Sequence, residues 1–159
     1  MTKRSYTTKQ MGDAGEMLVA AELTLSGIPA FVVPGNWPGY DVVAEDPVRG
    51  PQRISVKTRT FAPSGNFVGF GNDDKFDWLA IVILPDNGRV TRRIFIVPSN
   101  IVQERSYLAK PRNGRGFFVH KLIAMPPSPL PKSIQKGGWG LADYENNFDL
   151  SPNGSKNSN

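Results

Sequence analysis

Three side chains with the chemistry of a reactive site, Asp41, Lys57 and Glu16, fall in segments that a fold can bring together. Residues 40–45 and 52–60 are β-rich runs either side of Asp46-Pro47-Val48-Arg49-Gly50-Pro51, a composition that predicts an antiparallel hairpin with a moderately long loop. In the second run Ile54 and Val56 alternate with Ser55, Lys57 and Arg59, giving one apolar face and one with a hydroxyl and two cations. In the first run Asp41, Val43 and Glu45 share a face. A register that pairs Asp41 with Lys57 also pairs Val43 with Ser55 and Glu45 with Arg53. The plain reading is a cross-strand ion pair on a solvated face, worth about 0.2–1 kcal/mol. The alternative reading is a site in which the carboxylate and the ammonium act together, and the rest of the pattern bears on which holds.

Several elements must position these groups. Residues 9–25 predict a helix ended by Gly27, with Pro29 beyond it and Thr8 available as a cap. Met11, Ala14, Leu18, Ala21 and Leu25 form one stripe, and Gly12, Glu16, Val19, Ala20 and Leu23 another, so the helix should pack between layers. Glu16 lies in the second stripe, which requires either a solvated cleft or a cation partner. Residues 30–33 predict a short strand, and residues 34–39 a loop leading to Asp41. Trp37 and Tyr40 have two readings, stacking on a base or wedging the loop against the core, and the wedge is the expectation. Residues 61–72 are Gly-rich with three Phe and read as a flap or edge hairpin. Residues 78–84 are continuously apolar and predict a buried central strand, turned by residues 86–88 into a partner over 92–98. Asp77 reads as a structural cap. Ser99 and Asn100 can cap a short helix over 101–107, and residues 117–123 predict an edge strand. His120, the one histidine, lies in no recognisable nucleophile motif.

The pattern resembles the PD-(D/E)xK nuclease superfamily, in its restriction-endonuclease-like and Holliday-junction-resolvase-like branches. Gly12-Asp13-Ala14-Gly15-Glu16, Gly39-Tyr40-Asp41 and Ser55-Val56-Lys57 match the superfamily's helix Glu, first-strand Asp and (Asp/Glu)-x-Lys, over about residues 12–98. Ser55 stands where the superfamily normally has an acid. The resemblance implies an α/β fold, a restriction-endonuclease-like mixed β-sheet flanked by helices with an αβββαβ-type core. It also implies a Mg²⁺- or Mn²⁺-dependent deoxyribonuclease in which Asp41 and Glu16 hold the metal with the Val56 backbone carbonyl. Lys57 would activate the attacking water, and Glu45 is a candidate to compensate for Ser55, ahead of Glu22. A relative that binds nucleic acid without cutting it, and an unrelated basic protein-interaction domain, remain open alternatives.

Composition sets the outer limits. The chain has 159 residues, 39% of them hydrophobic, enough for a real core, and no Cys, which excludes disulfide scaffolds and thiolate metal sites. No stretch approaches the roughly 18 apolar residues of a membrane span, so the expectation is a cytoplasmic protein with no membrane partner. Net charge is +5, and between Arg89 and Lys136 ten Lys or Arg face the single acid Glu104. So one-sided a segment fits a surface that meets a polyanion, with DNA the expected partner. Arg59, Arg92, Arg93, Arg112 and Arg115 are the expected phosphate contacts, and a homodimer is the expected assembly if both strands are cut. The expected organisation is a basic arm over 1–8, a nuclease core over 9–123, a Pro-rich connector over 124–137, a packing helix over 138–150 and a disordered tail over 151–159.

Overall fold

The computed structural model describes residues 5–61, 67–71, 74–85, 92–109, 114–122 and 140–155. Helix α1 (Thr8–Leu25) is capped by Thr7 rather than Thr8. The Gln10 N–H donates to the Thr7 hydroxyl at 3.1 Å, and the Thr7 N–H donates to the Gln10 side chain at 2.9 Å. Past the helix end Gly27 takes φ +96°, a left-handed conformation open to glycine at little cost. Met11, Gly15, Val19, Ala20 and Leu23 are buried along α1. The stripe through Met11, Ala14, Leu18, Ala21 and Leu25 is not buried along its length, since Leu25 is 83% exposed and Ala21 is exposed too. Only one sheet packs against α1, so one stripe suffices.

That sheet comprises β1 (Ala30–Val32), β2 (Val42–Asp46), β3 (Gly50–Thr60), β5 (Trp78–Leu84) and β6 (Arg93–Pro98), in the order β1-β2-β3-β5-β6. All neighbours are antiparallel except β3 and β5, whose parallel pairing requires a crossover. The crossover contains β4 (Phe67–Phe70), which joins β7 (Tyr107–Ala109) and β8 (Gly114–Phe118) in a second sheet ordered β4-β8-β7. Helix α2 (Ser99–Arg105) follows β6 directly; its N-cap is Pro98 with no side-chain cap, so Ser99 and Asn100 lie inside the helix instead of capping it. Where residues 117–123 predict an edge strand, β8 occupies the middle of the small sheet and passes into the short helix α3 (Val119–Leu122).

The β2–β3 register differs by two residues from the expected one. Val43 faces Arg53 and Glu45 faces Pro51, which closes the hairpin at Asp46 and Gly50. The Asp46 side chain accounts for the tighter turn: Oδ1 accepts from the N–H groups of Val48 and Arg49 at 2.8 and 3.0 Å, and Gly50 adopts φ +77°. A two-residue slip keeps every side chain on its face, so the alternation survives while the Asp41–Lys57 and Glu45–Arg53 pairs do not.

Two cores flank the main sheet. On one side Val19, Ala20 and Leu23 of α1 meet Val42, Ile54, Val56, Ala80 and Val82. On the other, Leu79, Ile81, Ile83, Phe95 and Val97 meet Val68, Phe70 and Phe117 of the small sheet. The small sheet covers β5 and β6 but not β1 and β2, where Phe31 is 54% exposed.

Residues 140–155 form a strap with one 3₁₀ turn (Ala142–Tyr144), where the sequence predicts a helix over 138–150. The strap buries Leu141, Tyr144 and Leu150, and buried Asn147 donates to the Ile96 carbonyl at 3.0 Å. Ser155 N–H donates to the Asp143 carbonyl at 2.8 Å, so the strap extends into the expected disordered tail. Trp139, the connector over 124–137 and the turn over 86–88 lie outside the described residues. No helix among the described residues is long and apolar enough to cross a membrane.

Gly15 lets α1 approach β3 closely: a Cβ built there would lie 1.8 Å from Thr58 Oγ1. Gly15→Ala is expected to lower stability in urea by about 1–3 kcal/mol through overpacking. A second substitution, Thr58→Ala, should recover part of that loss because the atoms in the way all belong to Thr58.

Candidate active site

The candidate site forms where β2 and β3 separate. Strand β2 starts at Val42, opposite Ile54, so β3 continues past its neighbour. Asp41 fills the gap: its own N–H donates to the Ile54 carbonyl at 2.9 Å, and its Oδ2 accepts from the Val56 N–H at 2.7 Å. The carboxylate therefore lies against the edge of β3 in the place of the next strand residue. In an extended strand the N–H and C=O of one residue point to the same side, so the Val56 carbonyl is directed to this edge as well. The backbone also secures Asp41 from the other direction, its carbonyl accepting from the Val33 N–H at 3.0 Å.

Glu16, on α1, is near enough to Asp41 for their charges to interact. Burial pushes its carboxyl up from the ordinary 4.5 to about 7, and the neighbouring charges of Asp41 and then Asp13 add to the rise. Lys9 opposes the shift weakly, being tied to Asp13 at 2.8 Å. Glu16 thus has acids as its strongest neighbours, where its place in an apolar stripe suggested a cleft or a cation. Asp13 is a group that sequence reasoning passed over. Its signal was present, three residues before Glu16 and so one helical turn away.

Lys57 follows Val56 directly, with its side chain on the face of β3 opposite α1. Val56 packs with α1 and Thr58 lies beneath Gly15, which leaves Ser55, Lys57 and Arg59 on the other face. Lys57 is half-buried and forms no ion pair among the described residues. Ser55, on that same face, is buried at 2% exposure.

The remaining expected residues divide. Glu45 lies four strand residues from Asp41, about 13 Å along an extended chain, too far to share an ion with it. Arg53 pairs with Asp77, whose Oδ2 accepts the Arg53 N–H at 2.8 Å, and Asp77 has the structural role expected of it. Arg59 is half-buried; it donates to the carbonyls of Phe67 and Thr58 at 3.3 and 2.8 Å, and burial lowers its pKa. It clamps β4 onto β3. Arg93 is held by Glu145 at 2.9 Å, Arg92 is exposed, and the Arg115 guanidinium reaches the Gln103 carbonyl at 3.5 Å. Arg112 lies outside the described residues. Trp37, expected to wedge against the core, is 53% exposed and meets Tyr40 edge-on, at 6.4 Å between ring centroids.

Oxygen donors from two carboxylates and a main-chain carbonyl suit a small hard cation, which completes its shell with water. The acid charges that raise the Glu16 pKa add to the fit, because a divalent ion would relieve that repulsion. Among the described residues no cluster of three or more His, Cys, Asp or Glu forms a ready-made cage.

Among solved structures the chain is similar to a bacterial homing endonuclease, I-Ssp6803I, at 14% identity and a TM-score of 0.52, over 83% of this chain and 87% of that one. It is also similar to Hjc, a Holliday junction resolvase of Archaeoglobus fulgidus, at 18% identity and a TM-score of 0.40, over 65% of this chain and 87% of that one. No protein-family model and no curated protein matches the sequence. The mixed sheet flanked by helices is the restriction-endonuclease-like α/β fold expected from the sequence.

The sign of the Glu16 shift predicts a pH dependence of stability. A carboxyl with a folded pKa of about 7 and an ordinary unfolded one binds its proton more tightly when folded, so its contribution is present below 4.5 and is lost as pH rises through 7. Glu16→Gln should remove that slope in metal-free buffer. Thermal melts from acid to about pH 8 should show the variant melting above the parent at the alkaline end.

Proposed function

We propose that the chain is a metal-dependent endonuclease that hydrolyses DNA phosphodiester bonds at the edge of β3. The observation that carries this reading is the Asp41 carboxylate anchored on the Val56 N–H, one residue before Lys57, and the charge of Asp41, which helps raise the Glu16 pKa, supports it. The likeness of fold to the homing endonuclease supports it.

On this reading Asp41, Glu16 and the Val56 carbonyl hold Mg²⁺ or Mn²⁺. When bound, such an ion lowers the pKa of a coordinated water and polarises the phosphate. The Val56 N–H fixes Asp41 Oδ2 and so holds the carboxylate at the strand edge, where it would bind the ion. Glu16 would bind as the carboxylate, and the positive charge of the ion would offset the repulsion between that carboxylate and Asp41. Lys57 orients the attacking water and stabilises the negative charge that grows on the phosphate oxygens. The bare face of β1 and β2, bordered by the small sheet, offers a place for the duplex to lie. Exposed Arg92 is the cation best left free to meet phosphate among the described members of the expected set.

Ser55 favours a second reading. A neutral hydroxyl in the place of the usual acid leaves the site with less negative charge, as expected of a relative that binds DNA without cutting it. One assay separates the two. The first reading predicts cleavage of plasmid DNA with Mg²⁺ or Mn²⁺, lowered at least about a hundredfold by Asp41→Asn or Lys57→Ala with circular dichroism unchanged. Absence of cleavage by the parent across plasmid, linear and single-stranded DNA with both metals, with DNA binding intact in Asp41→Asn, would favour the second.

A further inference from the structure

Trp37 is an exposed aromatic that neither the core nor the proposed chemistry uses. It stands four residues before Asp41, so the two Cα atoms are at most about 14 Å apart along the chain. Its loop is fixed at both ends. The Trp37 N–H donates to the Pro34 carbonyl at 2.9 Å, and the Val33 N–H donates to the Asp41 carbonyl at 3.0 Å. Gly39, at φ +90°, lies against the backbone of Lys75, 3.5 Å from where a Cβ would be. Tyr40 meets the indole edge-on, with 70° between the ring planes, which supports the ring without stacking on its face. Lys75, exposed, has its backbone against Gly39, and Arg53, ion-paired with Asp77, is near enough to Tyr40 for an electrostatic interaction. A half-open indole on a fixed loop, braced by a second aromatic and with basic residues on the adjoining segments, has the make-up of a platform for a nucleobase.

We infer that Trp37 stacks on an unpaired base of the DNA a few nucleotides from the phosphate at Asp41, and so selects duplexes that carry unpaired nucleotides over continuous ones. Bases inside a duplex present only their edges in the grooves, whereas a bulged base presents its face. The inference rests on the endonuclease reading for its substrate but not for catalysis. Stacking needs no metal.

The test is fluorescence anisotropy, without divalent metal, on two labelled probes: a continuous duplex and the same duplex with a two-nucleotide bulge. The parent chain is expected to bind the bulged probe about tenfold more tightly, with Trp37→Ala bringing the ratio close to one and Trp37→Phe keeping most of it. Thermal melts of the variants, expected to match the parent, separate stacking from a structural role. Equal affinity of the parent for both probes, or a ratio unchanged in Trp37→Ala, would overturn the inference and leave the endonuclease reading standing. Failure of the parent to bind either probe at moderate salt would overturn both. Loss of cleavage in Asp41→Asn with the bulge preference intact would support both.

Discussion

The site depends on the hydrogen bond from the Val56 N–H to Asp41 Oδ2. A strand that outruns its neighbour leaves main-chain donors without ladder partners, and a buried donor without a partner costs more than a typical hydrogen bond returns. A carboxylate satisfies that donor and brings a negative charge to the place where the sheet opens. The same bond fixes the Asp41 side chain in direction, which a loop residue would otherwise lack. Ordinary strand geometry then sets Val56 and Lys57 beside it.

Glu16 introduces the opposing tendency. A helix carboxyl with its pKa pushed to about 7 by burial and by the Asp41 and Asp13 charges is not there for the stability of the metal-free chain. Gly15 permits the close crossing of α1 over β3 that brings Glu16 near Asp41, at the expense of a buried Thr58 hydroxyl with no hydrogen-bond partner among the described residues. Frustration of this kind, concentrated on neighbouring residues of one helix turn and one strand, is what an incoming cation or substrate can relieve. Some of the basic residues fasten the fold: Arg93 holds the strap through Glu145, Arg59 holds β4 through the Phe67 carbonyl, and Arg53 ties β3 to Asp77.

Much of the fold was legible because the signals were local. Apolar periodicity marked α1 and the buried strand β5, and the alternation through Ile54 and Val56 marked β3 and its two faces. The register was not legible, since Asp46 tightens the turn by a side-chain hydrogen bond that composition alone does not reveal. The sequence placed Asp41 beside Lys57 across a ladder, whereas the structure ends the ladder and lets Asp41 bond to the main chain. Trp37 looked like a core wedge because an aromatic in a Pro- and Gly-rich loop usually finds apolar cover, but among the described residues no second layer covers that end of the sheet. The pairings of Arg93 with Glu145 and Arg53 with Asp77 join segments far apart in the chain and leave no periodic trace.

That Glu16 and Asp41 share one divalent ion is the claim on which the account stands. Calorimetric titration of Mn²⁺ into the chain near neutral pH, repeated in buffers of different ionisation enthalpy, tests it most directly. The account predicts one ion per chain, proton release on binding, loss of binding in Asp41→Asn, and weaker binding without proton release in Glu16→Gln. Equal affinity in the parent and both variants, or binding with no proton released by the parent, would contradict it.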